Sequence, residues 1–277
     1  MKYYYLIASL PNLNPDKPPR NLDFKKWHNF ILRNLAESDR HILELLTVPE
    51  RVKKLVQILH EKRKEPQVYP LVIEVPDLPV EFKKTNDLIT LLPPFLSDWL
   101  TENDYWLEEK PISDLERQLF SLFYHEISNS DNDFIKSYFR FLQDLKNIIA
   151  AINARTYDLP IKNQLIGESD INSSLTRSQT PDFGLGEQYP FIEQLQQYID
   201  KSSLYDLEKY VDRLKWNRLE ELTSLDFFES SNVFAYYLQL KIAWRWLLLD
   251  QQEAEKGQIE HLLSDAMNKW SIKTLNE

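Results

Sequence analysis

Glycine is the scarcest informative residue in this chain: four occur in 277 residues, against a usual share of about 7%. Phosphate-cradling loops, tight hairpins and dinucleotide fingerprints need glycine for positive φ or close backbone approach. Its scarcity argues against P-loop and Rossmann chemistry and favours helices, which use glycine mainly at their ends. Cysteine is absent, which excludes disulfides, thiolate metal sites and cysteine nucleophiles and fits a reducing, cytoplasmic compartment. Basic blocks are absent too, and the net charge is −10. Nucleic-acid binding draws on clustered Lys and Arg, so no nucleic-acid partner is expected. The same acidity disfavours direct adsorption to anionic lipid.

Long hydrophobic runs are also missing. The start, MKYYYLIASLPNLN, has one basic residue and a short apolar stretch before Pro11. A secretory signal needs a cationic start and about 7–15 apolar residues, so Tyr3 to Leu10 is expected to be an ordered, buried first element. The nearest approach to a membrane span is VFAYYLQLKIAWRWLLL (233–249), interrupted by Gln239, Lys241 and Arg245. A helix buried in protein explains it better than a direct membrane span.

What is present is mostly helical periodicity. After the proline-rich PNLNPDKPPRN (11–21), it runs from Asp23 to about Lys64, with Trp27, Ile31 and Leu35 on one face. Pro49 suits the first turn of a new helix carrying Val52, Leu55, Val56 and Leu59. Four prolines within 65–82 make that segment irregular, with at most a short edge strand near 71–75. From about 113 the helices lengthen. Ser113 and Glu116 have the form of a capping box for a helix through Ile127. Asp133 is a candidate cap for a helix over 134–157, and 169–190 reads as a loop-like connector. Further helices are predicted at 190–200, 203–221, 232–250 and 254–270. The predicted fold is all-α, with an N-terminal helical lobe (1–110) and a long-helix lobe (111–277). The boundary is soft, so the two could form one continuous domain.

Catalytic patterns are not found. His28, His41, His60, His125 and His261 never pair at i+3 or i+4, and neither the zinc-protease nor the di-iron Glu-x-x-His pattern occurs. SDNDF (130–134) lacks the glycine and glutamate of a calcium loop. There is no Gly-x-Ser-x-Gly elbow. An Asp-rich cluster of the isoprenoid-enzyme type is missing as well. No cofactor or metal is expected.

Two helices carry polar groups on apolar backgrounds. In FLQDLKNIIAAINAR (141–155), Asp144, Asn147, Ala151 and Arg155 fall at spacings of 3, 4 and 4 on one face. They form either an exposed stripe or a polar seam at a contact between helices or between proteins, where Arg155 could fork onto a carboxylate. In 233–249, Lys241 and Arg245 stand one turn apart, flanked by Trp244 and Trp246. They read equally as snorkelling surface cations or as a binding hot spot.

Both helices resemble a known family. DLKNIIAAINARTYDLP (144–160) resembles the Asp-x-x-Asn…Arg-x-x-x-Leu pattern of the C-type subunits of V-type and archaeal-type ATPases, which are termed d-type in eukaryotes. NVFAYYLQLKIAWRW (232–246) is similar to that family's later helix, in which Tyr is followed four residues on by Lys, here Tyr237 and Lys241. YYYLIASLPNL, the QLIG at 164–167 and WNRLEELTSLDFF (216–228) look closer still to a bacterial branch encoded among V-type ATPase subunits. Trp244 stands where the C-type family usually has an acidic residue, and the chain is shorter than the three-lobed proteins of that family.

The resemblance implies helical-bundle lobes of the C/d type and a non-catalytic role in ion transport. Such a protein couples the central rotor stalk to the membrane proteolipid ring, and these would be its partners. It would be cytoplasmic and peripheral to the inner membrane through the complex. A helical adapter using an aromatic groove is the alternative.

Overall fold

The computed structural model describes residues 2–63, 89, 92–103, 111–201, 204–225 and 228–250. Every regular element among these residues is helical, so the fold is all-α. The short helix α1 (Tyr4–Ser9) is followed by α2 (Phe24–Asn34), α3 (Glu37–Leu45), α4 (Val48–Arg63) and α5 (Pro94–Glu102). The longer helices are α6 (Ile112–Ser128), α7 (Asp133–Thr156), α10 (Leu204–Thr223) and α11, whose described part spans 230–250. Between α7 and α10 lie a 3-10 turn (Ile161–Gln164), α8 (Asn172–Arg177) and α9 (Ile192–Asp200). The expected edge strand near 71–75 and helix at 254–270 lie outside the described residues.

Local chemistry sets most boundaries. The Asp23 carboxylate accepts the Lys26 backbone N–H at 2.9 Å and caps α2. The periodic stretch from Asp23 breaks after Asn34 and again before Val48, and Pro49 lies in the first turn of α4. Two expected caps move. α6 begins at Ile112 behind Pro111, which leaves Ser113 inside the helix with no capping role. α7 is capped one residue earlier than expected, by Asn132, whose side chain accepts the Ile135 N–H at 3.2 Å. The end of α7 shows how a glycine-poor chain stops a helix. Asp158 takes φ 53° where glycine is usual, and the Leu159 N–H returns to the Ala154 carbonyl at 2.8 Å, as in a Schellman motif.

Two apolar cores meet along α7. The first gathers α1 to α6, the N-terminal half of α7, the C-terminal half of α10, and α11 around Phe24, Phe120, Phe123, Phe139 and Phe234. Phe123 and Phe139 pack edge to face at 4.9 Å. The second core unites the C-terminal half of α7 with Ile171, Leu175, Phe183, Leu185, Ile192 and Leu195. Apolar packing therefore continues across residue 110, and α7 (about 36 Å long) is the axis shared by both cores. The first element is stitched in at Tyr3, whose N–H reaches the Phe228 carbonyl at 2.6 Å. Its hydroxyl donates to Asp39 and accepts from Ala36 N–H at 3.1 Å. Leu6 is buried as expected, but Tyr4 and Tyr5 are exposed.

Candidate functional site

The segment from 157 to 191 crosses the face of α7 with only one short α-helix and a 3-10 turn before α9. Its peptide groups lack the bonds a regular element would supply, and buried ones must find partners. The polar stripe on α7 supplies them. Asn147 is fully buried. Its Oδ1 accepts the Ile166 N–H at 2.8 Å, and its Nδ2 donates to the Ile166 carbonyl at 3.2 Å and to Asn172 Oδ1 at 3.1 Å. Gln143, one turn earlier, donates to the carbonyls of Ile166 and Glu168, both at 3.0 Å. Asn172 donates in turn to the Gly167 carbonyl at 2.9 Å.

Gly167 is a position in this crossing that requires glycine. Its φ is +61°, and a Cβ there would stand 2.9 Å from Gln143 Nε2 and 3.2 Å from Ser121 Oγ. The QLIG string is thus the point of closest approach between connector and helix.

Asp144 is buried and accepts from Tyr189 Oη at 2.7 Å and from Ser169 Oγ. Burial and that bond to a carboxylate push the Tyr189 phenol well above its ordinary value, so it stays a donor. At the far end, Arg155 donates to the carbonyls of Thr180, at 2.7 Å, and Ser178. Its guanidinium stacks 3.6 Å from the centroid of Phe183. Phe183 itself is buried with φ 58°. The adjoining turn is organised by Asp182, which accepts from Thr180 Oγ1 at 2.7 Å and Gly184 N–H at 3.0 Å; these bonds hold its carboxyl below the usual range. Arg155 therefore grips backbone carbonyls and a ring, where the spacing had pointed to a carboxylate.

A second network joins α11 to α4 and α10. Lys241 is nearly buried, pairs with Glu50 and lies 5.3 Å over the Tyr237 ring. Tyr237 is fully buried, with its hydroxyl 3.2 Å from His28 Nδ1. Arg245 donates to Asp212 Oδ2 at 2.6 Å and also to Glu208. Asp212 accepts from Lys215 at 2.7 Å and from Trp246 Nε1 at 3.1 Å. Burial raises the Asp212 carboxyl, but Lys215 and Arg245 outweigh it and leave it below its ordinary value. Trp244, where the C-type ATPase family usually carries an acid, lies tilted against Phe24 with ring centroids 6.4 Å apart instead.

A family model described as "Protein of unknown function (DUF2764)" matches residues 1–268. The chain belongs to that family. Neither the curated proteins nor the solved structures give a match. The span matched by the DUF2764 model includes both networks and every described element.

The expected residues thus divide between two places. Asp144, Asn147 and Arg155 hold the connector to α7, whereas Tyr237, Lys241 and Arg245 hold α11 to the rest of the bundle. Sequence reasoning in this DUF2764 member missed the acceptors and donors that complete each network: Gln143, Ser169, Asn172, Tyr189, Glu50, Glu208 and Asp212. Asp212 had a readable signal, since it falls in line with Trp216 and Leu219 on the buried face of α10. Ser169, Asn172 and Tyr189 had none, because an irregular segment has no periodicity to break. Among the described residues, no group of three metal-ligating side chains stands close enough to hold an ion.

Proposed function

We propose that this chain is a non-catalytic component of a V-type ATPase or ATP synthase, of the C/d type, coupling the central rotor stalk to the membrane proteolipid ring. The observation that best supports this reading is where the likeness to the C-type family falls. The two helices that carry it, α7 and α11, are also those that hold the buried polar networks. A torque-bearing coupler needs helices that resist sliding past their neighbours, and buried, mutually bonded polar groups fix register more strictly than apolar contact does. On this reading the protein takes no cofactor and no nucleic acid, and it reaches the cytoplasmic face of the inner membrane through its partners. Among the described residues, no helix is long and apolar enough to cross a membrane. Affinity purification from the native cell should recover central-stalk and proteolipid subunits, and deletion should impair assembly or ion-coupled ATPase activity. Normal assembly and coupling in the deletion strain would refute the proposal.

One surface favours the alternative, a helical adapter unrelated to the ATPase. A cleft of about 370 Å³ between α1 and α2 is lined by Tyr5, Trp27 and Phe30 together with Lys26 and Arg33. A lining that combines aromatic rings with two cations suits an acidic amphipathic segment. Recovery of partners that include no ATPase component, and their loss in Trp27→Ala, would decide for the adapter.

A further inference from the structure

The solvent side of α2 is not plainly polar. Phe24 and Ile31 are buried, whereas Trp27 and Phe30 are half-buried and pack edge to face with ring centroids 5.7 Å apart. Tyr5 of α1, 74% exposed, joins them in lining the cleft of about 370 Å³. Ser9, Lys26 and Arg33 complete this aromatic lining, and no carboxylate is among the described residues that form it. Lys26 Nζ lies 5.0 Å from the centroid of the Trp27 ring. Lys26 and Arg33 stand about two helical turns apart along α2. The cleft is thus a trough of helical length, and its chemistry matches an amphipathic helix with acidic flanks.

The course of the chain brings such a segment to it. The Phe24 ring, at the start of α2, lies 6.4 Å from Trp244, and the His28 ring lies 5.7 Å from Tyr237. Just past the other end of α2, the Ala36 N–H donates to the Tyr3 hydroxyl, and the Tyr3 N–H donates to the Phe228 carbonyl just before α11. α2 and α11 therefore run antiparallel, and the chain leaves Asp250 beyond the start of α2. The residues that follow lie outside the described ones, but their sequence predicts a helix over 254–270. Ile259, Leu262, Leu263, Ala266, Met267 and Trp270 share one face of it, with Glu260 and Asp265 on either flank. After a reversal over 251–253, that helix would run back alongside α2. Its length of about 25 Å covers the roughly 9 Å from Asp250 back to the level of Trp244 and the roughly 14 Å from Phe24 to Arg33. A tether this short gives a docking segment an effective concentration on the order of millimolar, which fills even a weak site.

We propose that the cleft between α1 and α2 is the dock of the chain's own segment 254–270, whose apolar stripe covers Trp27, Phe30 and Tyr5 while Glu260 and Asp265 face Lys26 and Arg33. Apolar contact holds the segment, and the charges set its register. The assignment does not rest on a role in an ATPase, and its failure would leave that reading untouched. A partner of the adapter kind has to displace the segment before it can enter the cleft.

Site-resolved hydrogen exchange on the full chain tests the assignment. A helix of this length is marginal in water by itself, so slow exchange at 259–270 requires that it be docked. Those amides should be protected in the wild type, and Leu263→Glu or Phe30→Glu should abolish the protection. Because Phe30 is half-buried, a second variant alters only exposed cleft residues: Lys26→Glu with Arg33→Glu should reduce protection by on the order of tenfold. Adding Glu260→Lys and Asp265→Lys to that pair should restore it, which a segment docked elsewhere would not do. Exchange within α6 should stay the same throughout. Exchange at 259–270 as fast as in an unfolded chain, or protection indifferent to all the cleft variants, would overturn the proposal. Protection that rises with protein concentration would also overturn it, by assigning the cleft to the segment of a second copy.

Discussion

Replacing Asn147 with Ala tests whether the polar stripe on α7 serves as a latch for the connector. The wild-type amide makes three hydrogen bonds, two of them to the two faces of the Ile166 residue. Truncation leaves the Ile166 N–H without its acceptor in a place where Asn147 itself has no exposure. The Ile166 carbonyl is less affected, because Gln143 still donates to it at 3.0 Å. Asn172 Oδ1 also loses a donor. An orphaned buried polar group costs about 1–3 kcal/mol, and coupled losses do not add fully, so the variant should lose about 2–4 kcal/mol. For a chain of this size that corresponds to a fall in melting temperature of roughly 3–7 °C. The loss should be local as well as global: amide exchange at Ile166, Gly167 and Glu168 should accelerate more than exchange within α6. Urea unfolding followed by circular dichroism, with site-resolved hydrogen exchange, measures both. An N147A protein within about 0.5 kcal/mol of wild type, with unchanged exchange at Ile166, would refute the latch.

Three further outcomes are expected. Arg155→Ala should cost about 1–3 kcal/mol through lost carbonyl bonds and stacking, and Arg155→Lys should recover little of it, since a point charge cannot both fork and stack; urea unfolding of the pair checks this. Asp212 has a folded-state pKa below its unfolded value of about 3.9, so its contribution is present above that value and is lost as pH falls through the folded pKa. Asp212→Asn should lower stability at pH 7 by about 2–4 kcal/mol, discounted for the partly exposed Lys215 and Arg245, and should flatten the acid limb of a stability-versus-pH curve. Lys146 is the opposite case: its folded pKa is lowered, so the unfolded chain binds more protons and stability rises with pH up to the unfolded value of about 10.4. Lys146→Met should equal or exceed wild type in stability at pH 7, with the difference shrinking toward pH 10; a loss of stability at pH 7 would contradict this.

The helices were legible because they are periodic. Ile31 and Leu35, or Asp212, Trp216 and Leu219, declare a buried face by spacing alone. The polar stripe on α7 was legible as a stripe for the same reason, but its environment was not. Nothing in FLQDLKNIIAAINAR distinguishes water from a crossing backbone as the partner of Asn147, because both supply donors and acceptors. Capping at 113 and 133 was misplaced by a residue or two, since Pro111 and Asn132 took over the boundaries. The irregular segment at 169–190 concealed both α8 and the residues that meet the latch.

By itself, then, the sequence determined an all-helical chain without the glycine, cysteine or motif equipment of common catalytic sites, and it marked the two helices on which polar groups are out of place. Tertiary structure decided what those groups do. Hydrogen bonds and ion pairs depend on distances of a few ångströms between residues far apart in the chain, such as Asp144 and Tyr189 or Glu50 and Lys241. Which buried donors and acceptors are satisfied is fixed only when the helices are brought together.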